Sequence, residues 1–336
     1  MEPRQLKTLL LFDLAGPAPA DHNYDSDLKS DTDEWEAEAS LVTAVRALGH
    51  EVKLFGIHDD VQSLLSELAQ TKPDLVFNLC EAFKGDRDHE PNLAALLELM
   101  DVRYTGARPV ALGLCKDKAL SKKILNYHGI RTPQFEVSRR AQPLQRLREI
   151  TYPAFVKPVG LEASAGISQD SFVENEQDAL ARVTFIHEKL EHDAIIEEYI
   201  DGRELYVSVI GNERLEVFPP REIFYSEMAP DSPKFATFKA KWDKSYRKRW
   251  GISTGPAAAL PPETEKELVE MCKKIYRVLQ ITGYARIDLR LTQKNEIVFL
   301  EANPNPSIAE SDDFAQSAIA SGLNYEKLIA KLIRLA

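Results

Sequence analysis

The first hundred residues alternate short apolar runs with helix-patterned stretches, and this alternation restricts the chain more than any other feature. Residues 8–13 read as a strand, 34–48 as a helix that Gly49 stops, 51–55 as a strand, 61–69 as a helix and 75–78 as a strand. A helix over 91–100 and a short strand over 102–104 complete the series. Strands separated by helices pair in parallel, because each crossover returns the chain to the same end of the sheet. A parallel sheet with helices on its faces follows. Arg4 and Lys7 precede an apolar run, and Ala18-Pro19-Ala20 resembles a cleavage site. The run from Leu9 to Phe12 is nevertheless too short for a leader's central region and stops at Asp13, so it reads as a buried strand.

Beyond residue 104 the rhythm changes. Helices are expected over 116–129, 143–149, 176–190 and 263–279, and strands over 135–138, 154–157, 194–198 and 204–210. A hairpin over 284–303 and helices over 313–321 and 325–335 close the chain. The pattern divides into units 1–113, 114–193 and 194–336. With 53 acidic residues against 42 Lys and Arg, the net charge of −11 argues against a nucleic-acid coat. No apolar run approaches the ~18 residues of a membrane helix. Cys80, Cys115 and Cys272 lack metal-ligand spacing and read as reduced, buried thiols of a cytoplasmic protein. Eight acids and one Lys between Asp21 and Glu38 read as a solvated loop entering a helix, since the glycine of a calcium-binding loop is missing.

The strongest chemical signal is the hairpin. Side chains alternate along a strand, so Arg286 and Asp288 share one face, as do Glu301 and Asn303 on the second strand. A turn centred on Lys294-Asn295 sets 288 opposite 301 and 286 opposite 303. Two carboxylates and an amide oxygen are hard ligands of the kind Mg²⁺ takes, although a solvent-facing cross-strand pair would read the same.

Other segments carry lysines and small residues. Lys157 ends an apolar strand just before Gly160-Leu161-Glu162-Ala163-Ser164-Ala165-Gly166, where backbone N–H groups and an ammonium can both reach a polyphosphate. Lys118 is ambiguous between that role and a hydrated helix surface. The run Ile195–Glu204 offers an adenine an apolar wall and a hydrogen-bonding edge, with Glu204 placed for ribose hydroxyls. Seven Lys or Arg between 234 and 249 face only Asp243. They suit a solvated basic face, a nucleic-acid surface stacking on Trp242, Tyr246 and Trp250, or a loop closing over a nucleoside triphosphate.

In order and spacing these pieces resemble the ATP-grasp superfamily, and within it the D-alanine–D-alanine ligase-like family. The resemblance is carried by Tyr104-Thr105-Gly106, Lys116-Asp117-Lys118 with Lys122, Phe155–Pro158 with Ser164-Ala165-Gly166, and Ile196-Glu197 with Gly202 and Glu204. It continues through Lys239-Ala240-Lys241, Arg286-Ile287-Asp288 and Glu301-Ala302-Asn303. It implies an α/β (α+β) ATP-grasp fold, with an N-terminal Rossmann-like parallel-sheet domain, a small central α+β domain and a larger C-terminal α+β domain. The implied activity is ADP-forming ligation of a carboxylate to an amine through an acyl phosphate. Other ATP-grasp chemistry (phosphoryl transfer or thioester formation) and non-catalytic nucleotide binding are the alternatives.

The resemblance also implies roles. Lys118, Lys157 and Ser164 would contact ATP phosphates, and Lys241 the γ-phosphate. Glu197 would face the adenine amino group, with Glu198, Tyr199 and Ile200 beside the base and Glu204 on the ribose. Asp288, Glu301 and Asn303 would hold two Mg²⁺ ions (or Mn²⁺), Glu301 bridging them. Arg286 would stabilise charge on the reacting carboxyl group, and Glu36 would grip the first substrate's amino group. The implied partners are small amino-acid or carboxylate and amine substrates and a second copy of the chain, with no nucleic acid and no membrane.

Departures from the family pattern fall on the amino-acid side. Leu14-Ala15-Gly16-Pro17 replaces a glycine-rich signature, Trp242 replaces a tyrosine, Ala163 replaces a serine, and Asp312 stands where a carboxylate-binding serine is expected. These changes imply altered substrates.

Overall fold

The computed structural model describes residues 4–19, 21–29, 35–161, 164–229 and 232–336. Strands Lys7–Asp13, Glu51–Ile57 and Leu75–Asn78 form the parallel sheet, with Lys7–Asp13 in the middle. Helices Glu36–Ala47, Val61–Thr71 and Glu90–Leu99 cover it. The strand expected over 102–104 contributes only a single bridge, Tyr104 to Val76. Of the acidic stretch, residues 30–34 lie outside the described residues, and Asp27–Lys29 make one 3₁₀ turn.

The helix expected over 116–129 forms as Lys118–Tyr127, and a helix that the sequence reading did not give, Pro109–Lys116, precedes it. Pro109–Lys116 and Lys118–Tyr127 meet at Asp117, whose carboxylate caps the second by accepting from the N–H groups of Ala119 and Leu120. The expected boundary at 113/114 therefore falls inside the helix Pro109–Lys116.

A four-stranded sheet follows, ordered Phe135–Ser138, Ala194–Glu198, Ala154–Pro158, Phe172–Val173. Ala194–Glu198 is one of its two inner strands, antiparallel to both neighbours, so sheet membership ends after 198 rather than at 193. No helix forms over 143–149. The Glu136 carboxylate accepts from the N–H groups of Arg148 and Glu149, Glu176 accepts from Leu147 N–H, and Ser138 Oγ accepts from Leu144 N–H. Donors taken this way cannot be aligned in a helix.

The C-terminal sheet runs Ile252–Pro256, Arg221–Tyr225, Arg203–Ile210, Tyr284–Leu291, Ile297–Pro304, all neighbours antiparallel, with Glu216–Val217 added on Arg203–Ile210. Leu205, Val207 and Val209 alternate with Glu204, Tyr206 and Ser208, and Ala285, Ile287 and Leu289 with Arg286, Asp288 and Arg290. The apolar sets pack together with Leu268, Cys272 and Ile275 of helix Pro262–Val278. The polar sets are thereby left on the opposite face. The basic segment between 234 and 249 is largely helical. It forms helices Phe238–Trp242 and Lys244–Arg249, capped by Thr237 and Asp243.

Helices Asp313–Ala320 and Tyr325–Leu335 return to the first sheet. Phe314, Leu328 and Leu332 share a core with Leu10, Leu41 and Val45. The two ends of the chain are thus joined by apolar burial, at roughly 25 cal/mol per Å². All three cysteines are buried and none is in a disulfide.

Candidate active site

The register of the C-terminal hairpin places the acids. Asp288 stands opposite Glu301 and Arg286 opposite Asn303, as the sequence pattern requires. The route differs, however. Leu291 pairs with Ile297 and Leu289 with Phe299, so the turn lies one half-step earlier than expected and Leu300 is an extra residue. This bulge restores the pairing of 288 with 301. It also turns the Leu300 carbonyl toward Lys122, which donates to it.

An open cleft of about 610 Å³ lies between the central and C-terminal sheets. It brings together Lys157, Ser164, Glu197, Glu198, Tyr199 and Ile200 with Glu204, Lys241, Asp288 and Glu301. Phe155, Phe235 and Ile167 supply apolar wall that sequence reasoning missed, and Phe155 and Phe235 meet edge to face with ring centroids 4.8 Å apart. Arg290 was missed as well, although it continues the Arg286–Asp288 face by one more alternation.

Lysines gather at one end. Lys157 Nζ lies 2.7 Å from Glu197 Oε1, and Lys122 Nζ lies 3.4 Å from Glu197 Oε2. That second contact lacks hydrogen-bond geometry, so Glu197 Oε2 is buried without a hydrogen-bond partner. Such an oxygen fits an added N–H donor. Lys118 donates to the Leu161 carbonyl at 2.6 Å and stands 3.7 Å from Glu301. Burial would raise the Glu301 carboxyl, but Lys118, Lys157, Lys241 and Lys122 outweigh it and hold it well below the usual carboxylate range. Lys122 is 0% exposed, and burial pulls its ammonium down to about 8 against the attraction of Glu197.

The hairpin acids differ from one another. Asp288 takes a two-pronged pair from Arg286, at 2.8 and 2.9 Å, and a further bond from Asn303 Nδ2 at 3.2 Å. Burial and the Glu301 charge still raise its carboxyl above the ordinary value. Arg286, expected to face a reacting carboxyl group, is held by Asp288 and lies over the Tyr206 ring at 4.7 Å. Among the described residues no three His, Cys, Asp or Glu side chains cluster as a metal cage. Two carboxylates and an amide fit an ion that completes its shell with water and phosphate oxygens, as Mg²⁺ does.

A second cleft of about 1210 Å³ lies beyond Lys241, which lines both. Its walls include Arg286, Asn303, Ser307, Asp312, Trp242 and Phe314. Trp242 is 61% exposed. Glu36 lines neither cleft, but its charge, with that of Asp313, adds to the burial that raises the Asp312 carboxyl. Asp313 is paired with Arg221 at 2.7 Å, whereas Asp312 receives a bond from the Ser307 hydroxyl. Ala163 lies outside the described residues.

Comparison with known proteins agrees with this architecture. Residues 117–334 match the family model described as the D-ala D-ala ligase C-terminus. A D-alanine–D-alanine ligase of Thermoanaerobacter sp. is 30% identical over 317 residues, 92% of this chain and 81% of that protein. The uncharacterized protein y4sG of Sinorhizobium fredii is 30% identical over 311 residues, 88% of this chain and 86% of its own. The crystal structure of D-alanine–D-alanine ligase from Bacillus anthracis complexed with ATP has a TM-score of 0.73 at 19% identity, covering 98% of this chain and 97% of that one. VanG D-Ala:D-Ser ligase from Enterococcus faecalis gives 0.69 at 21%, over 98% and 99%. No helix among the described residues is long and apolar enough to cross a membrane. The fold is ATP-grasp, and the chain belongs to the D-alanine–D-alanine ligase family of ATP-dependent ligases.

Proposed function

We propose that the chain joins a carboxylate to an amine through an acyl phosphate, and that its substrates are not two D-alanines. The reading is carried by Lys241, which lines both clefts. A nucleotide in the first cleft and a carboxylate in the second then meet at this residue. The carboxylate attacks the γ-phosphate in line, giving acyl phosphate and ADP. An amine attacks the activated carbonyl and expels phosphate.

Each residue has a place in this scheme. Lys118 and Lys157, with Ser164, bind phosphates, and Lys241 approaches the γ-phosphate. Glu197 Oε2 accepts from the adenine amino group while Oε1 keeps Lys157 in position. Glu198, Tyr199 and Ile200 flank the base, and Glu204 holds the ribose. Asp288, Glu301 and Asn303 would hold two Mg²⁺ ions, with Mn²⁺ as a substitute. When bound, the metal neutralises charge on the transferring phosphoryl group. Arg286 faces the carbonyl oxygen as it gains charge. Asp312, with the charge of Glu36 reaching it from outside the cleft, makes that end of the second cleft negative, which suits an ammonium and opposes a free carboxylate. The three-unit division, with the central unit extended to residue 198, a homodimer and a cytoplasmic setting belong to the same proposal.

The test is a paired amino-acid and amine panel with Mg-ATP, scored by ADP release and product mass. An amide product other than D-alanyl-D-alanine is expected. Turnover of D-alanine at the level of a true dipeptide ligase would refute the altered-substrate reading, and ADP formed without any amide would refute ligation.

A further inference from the structure

Arg290 is buried, and its guanidinium binds three separate segments. Nη1 donates to the Gly202 carbonyl at 2.8 Å, and Nη2 donates to Glu204 Oε2 at 2.8 Å and to the Lys234 carbonyl at 2.7 Å. These are the connector before strand Arg203–Ile210, the strand itself, and the root of the segment leading to Lys241. The arrangement is locked from several directions. Arg290 stands opposite Glu204 in the strand register. Gly202 approaches the neighbouring strand so closely that a Cβ there would lie 2.3 Å from the Leu291 carbonyl oxygen. Tyr199, whose ring lies 5.9 Å from the guanidinium, exchanges hydrogen bonds with both the N–H (3.0 Å) and the carbonyl (3.2 Å) of Lys234.

Glu204 is left with a defined valence. Oε2 takes Arg290, and Oε1 takes the Tyr206 hydroxyl at 2.9 Å. Each oxygen keeps one free lone pair, which is what two vicinal hydroxyls require. A lysine could not reproduce this hold, because the planar fork supplies several donors in fixed directions.

The geometry points to Arg290 as a positioning residue that aims Glu204 at the ribose diol and, through Lys234, ties that contact to the segment carrying Lys241. A nucleoside triphosphate with both ribose hydroxyls is therefore the form that sets this segment for phosphoryl transfer. The inference rests on the first cleft being the nucleotide site.

Two measurements test it. In Arg290→Met, the kcat/KM preference for ATP over 2′-deoxy-ATP should fall about tenfold or more, with a partial return in Arg290→Lys and a comparable loss in Glu204→Gln. A merely structural role would lower the melting temperature and leave that preference unchanged, which would overturn the proposal. In the wild-type chain, adenosine alone should slow proteolytic nicking between residues 234 and 249, and 2′,3′-dideoxyadenosine should not. Equal effects of the two nucleosides would overturn the coupling, and this arm stands even if the variants fail to fold. Absence of saturable ATP binding by the wild-type chain would instead sink the nucleotide reading, and this inference with it.

Discussion

The ammonium of Lys122 donates to the carbonyl of Leu300, the one extra residue in the hairpin that carries the site acids. Were the strand to run without this bulge, Asp288 would face Leu300 and Glu301 would turn to the apolar side. A helix in the chain's second hundred residues thus fixes the pairing of two carboxylates near its end.

Replacing Lys122 with Met should therefore weaken metal-dependent nucleotide binding more than its distance from solvent would imply. A hydrogen bond from a buried charge is worth about 1.5–3 kcal/mol, so a loss of roughly 10- to 100-fold in Mg-ATP affinity is expected. Calorimetric titration checks it. Unchanged affinity in a folded variant would remove Lys122 from the account of the bulge.

Proton linkage gives a second prediction. The Lys122 ammonium is pulled down to about 8, so it is charged below that pH and neutral above it. A polyanion favours the charged form, so binding ATP raises the proton affinity of the group. Binding near pH 8 should take up a fraction of a proton, and affinity should fall as pH rises through about 8. Titrations in buffers of different ionisation enthalpy measure the uptake, which should vanish in Lys122→Met.

Glu301→Gln separates metal from nucleotide. Glu301 is ionised among four lysines, and its charge opposes a triphosphate that would enter alone. Metal-free ATP should bind more tightly to the variant, whereas Mg-dependent turnover should fall by about 100-fold or more. Movement of both quantities in the same direction would contradict the assignment of this carboxylate to the metal.

On the other side of Lys241, Asp312→Ser removes an acid whose proton affinity burial and neighbouring Asp313 and Glu36 have raised. Like charges placed together cost up to several kcal/mol, so kcat/KM for an amine bearing a free carboxylate should rise about tenfold. Competition between a carboxylate-bearing amine and its amide provides the readout.

Much of this arrangement was legible because strands report their faces with period two. Arg286, Asp288, Glu301 and Asn303 fell on one side by alternation alone, and Arg290 obeyed the same rule although only the structure revealed its partners. The bulge at Leu300 was not legible, since its stabilising contacts come from Lys122 and from the Arg131 carbonyl, which accepts from Phe299 N–H. The missing helix over 143–149 has the same origin, because Glu136 and Glu176 capture its donors from outside the segment. Conversely, Asp243 looked like a lone acid in a basic run, whereas its carboxylate starts the helix Lys244–Arg249. Glu36 was readable as a helix-start acid, but its proximity to Asp312 depends on helices Glu36–Ala47 and Tyr325–Leu335 packing together.

Lys241 stands in a wall common to two chambers. An occupant of one chamber that draws on that side chain alters what the other chamber can offer its own guest. Thermodynamics makes the influence mutual and equal in size. A chain built this way lets each occupant be felt by the other, whichever of the two arrives first.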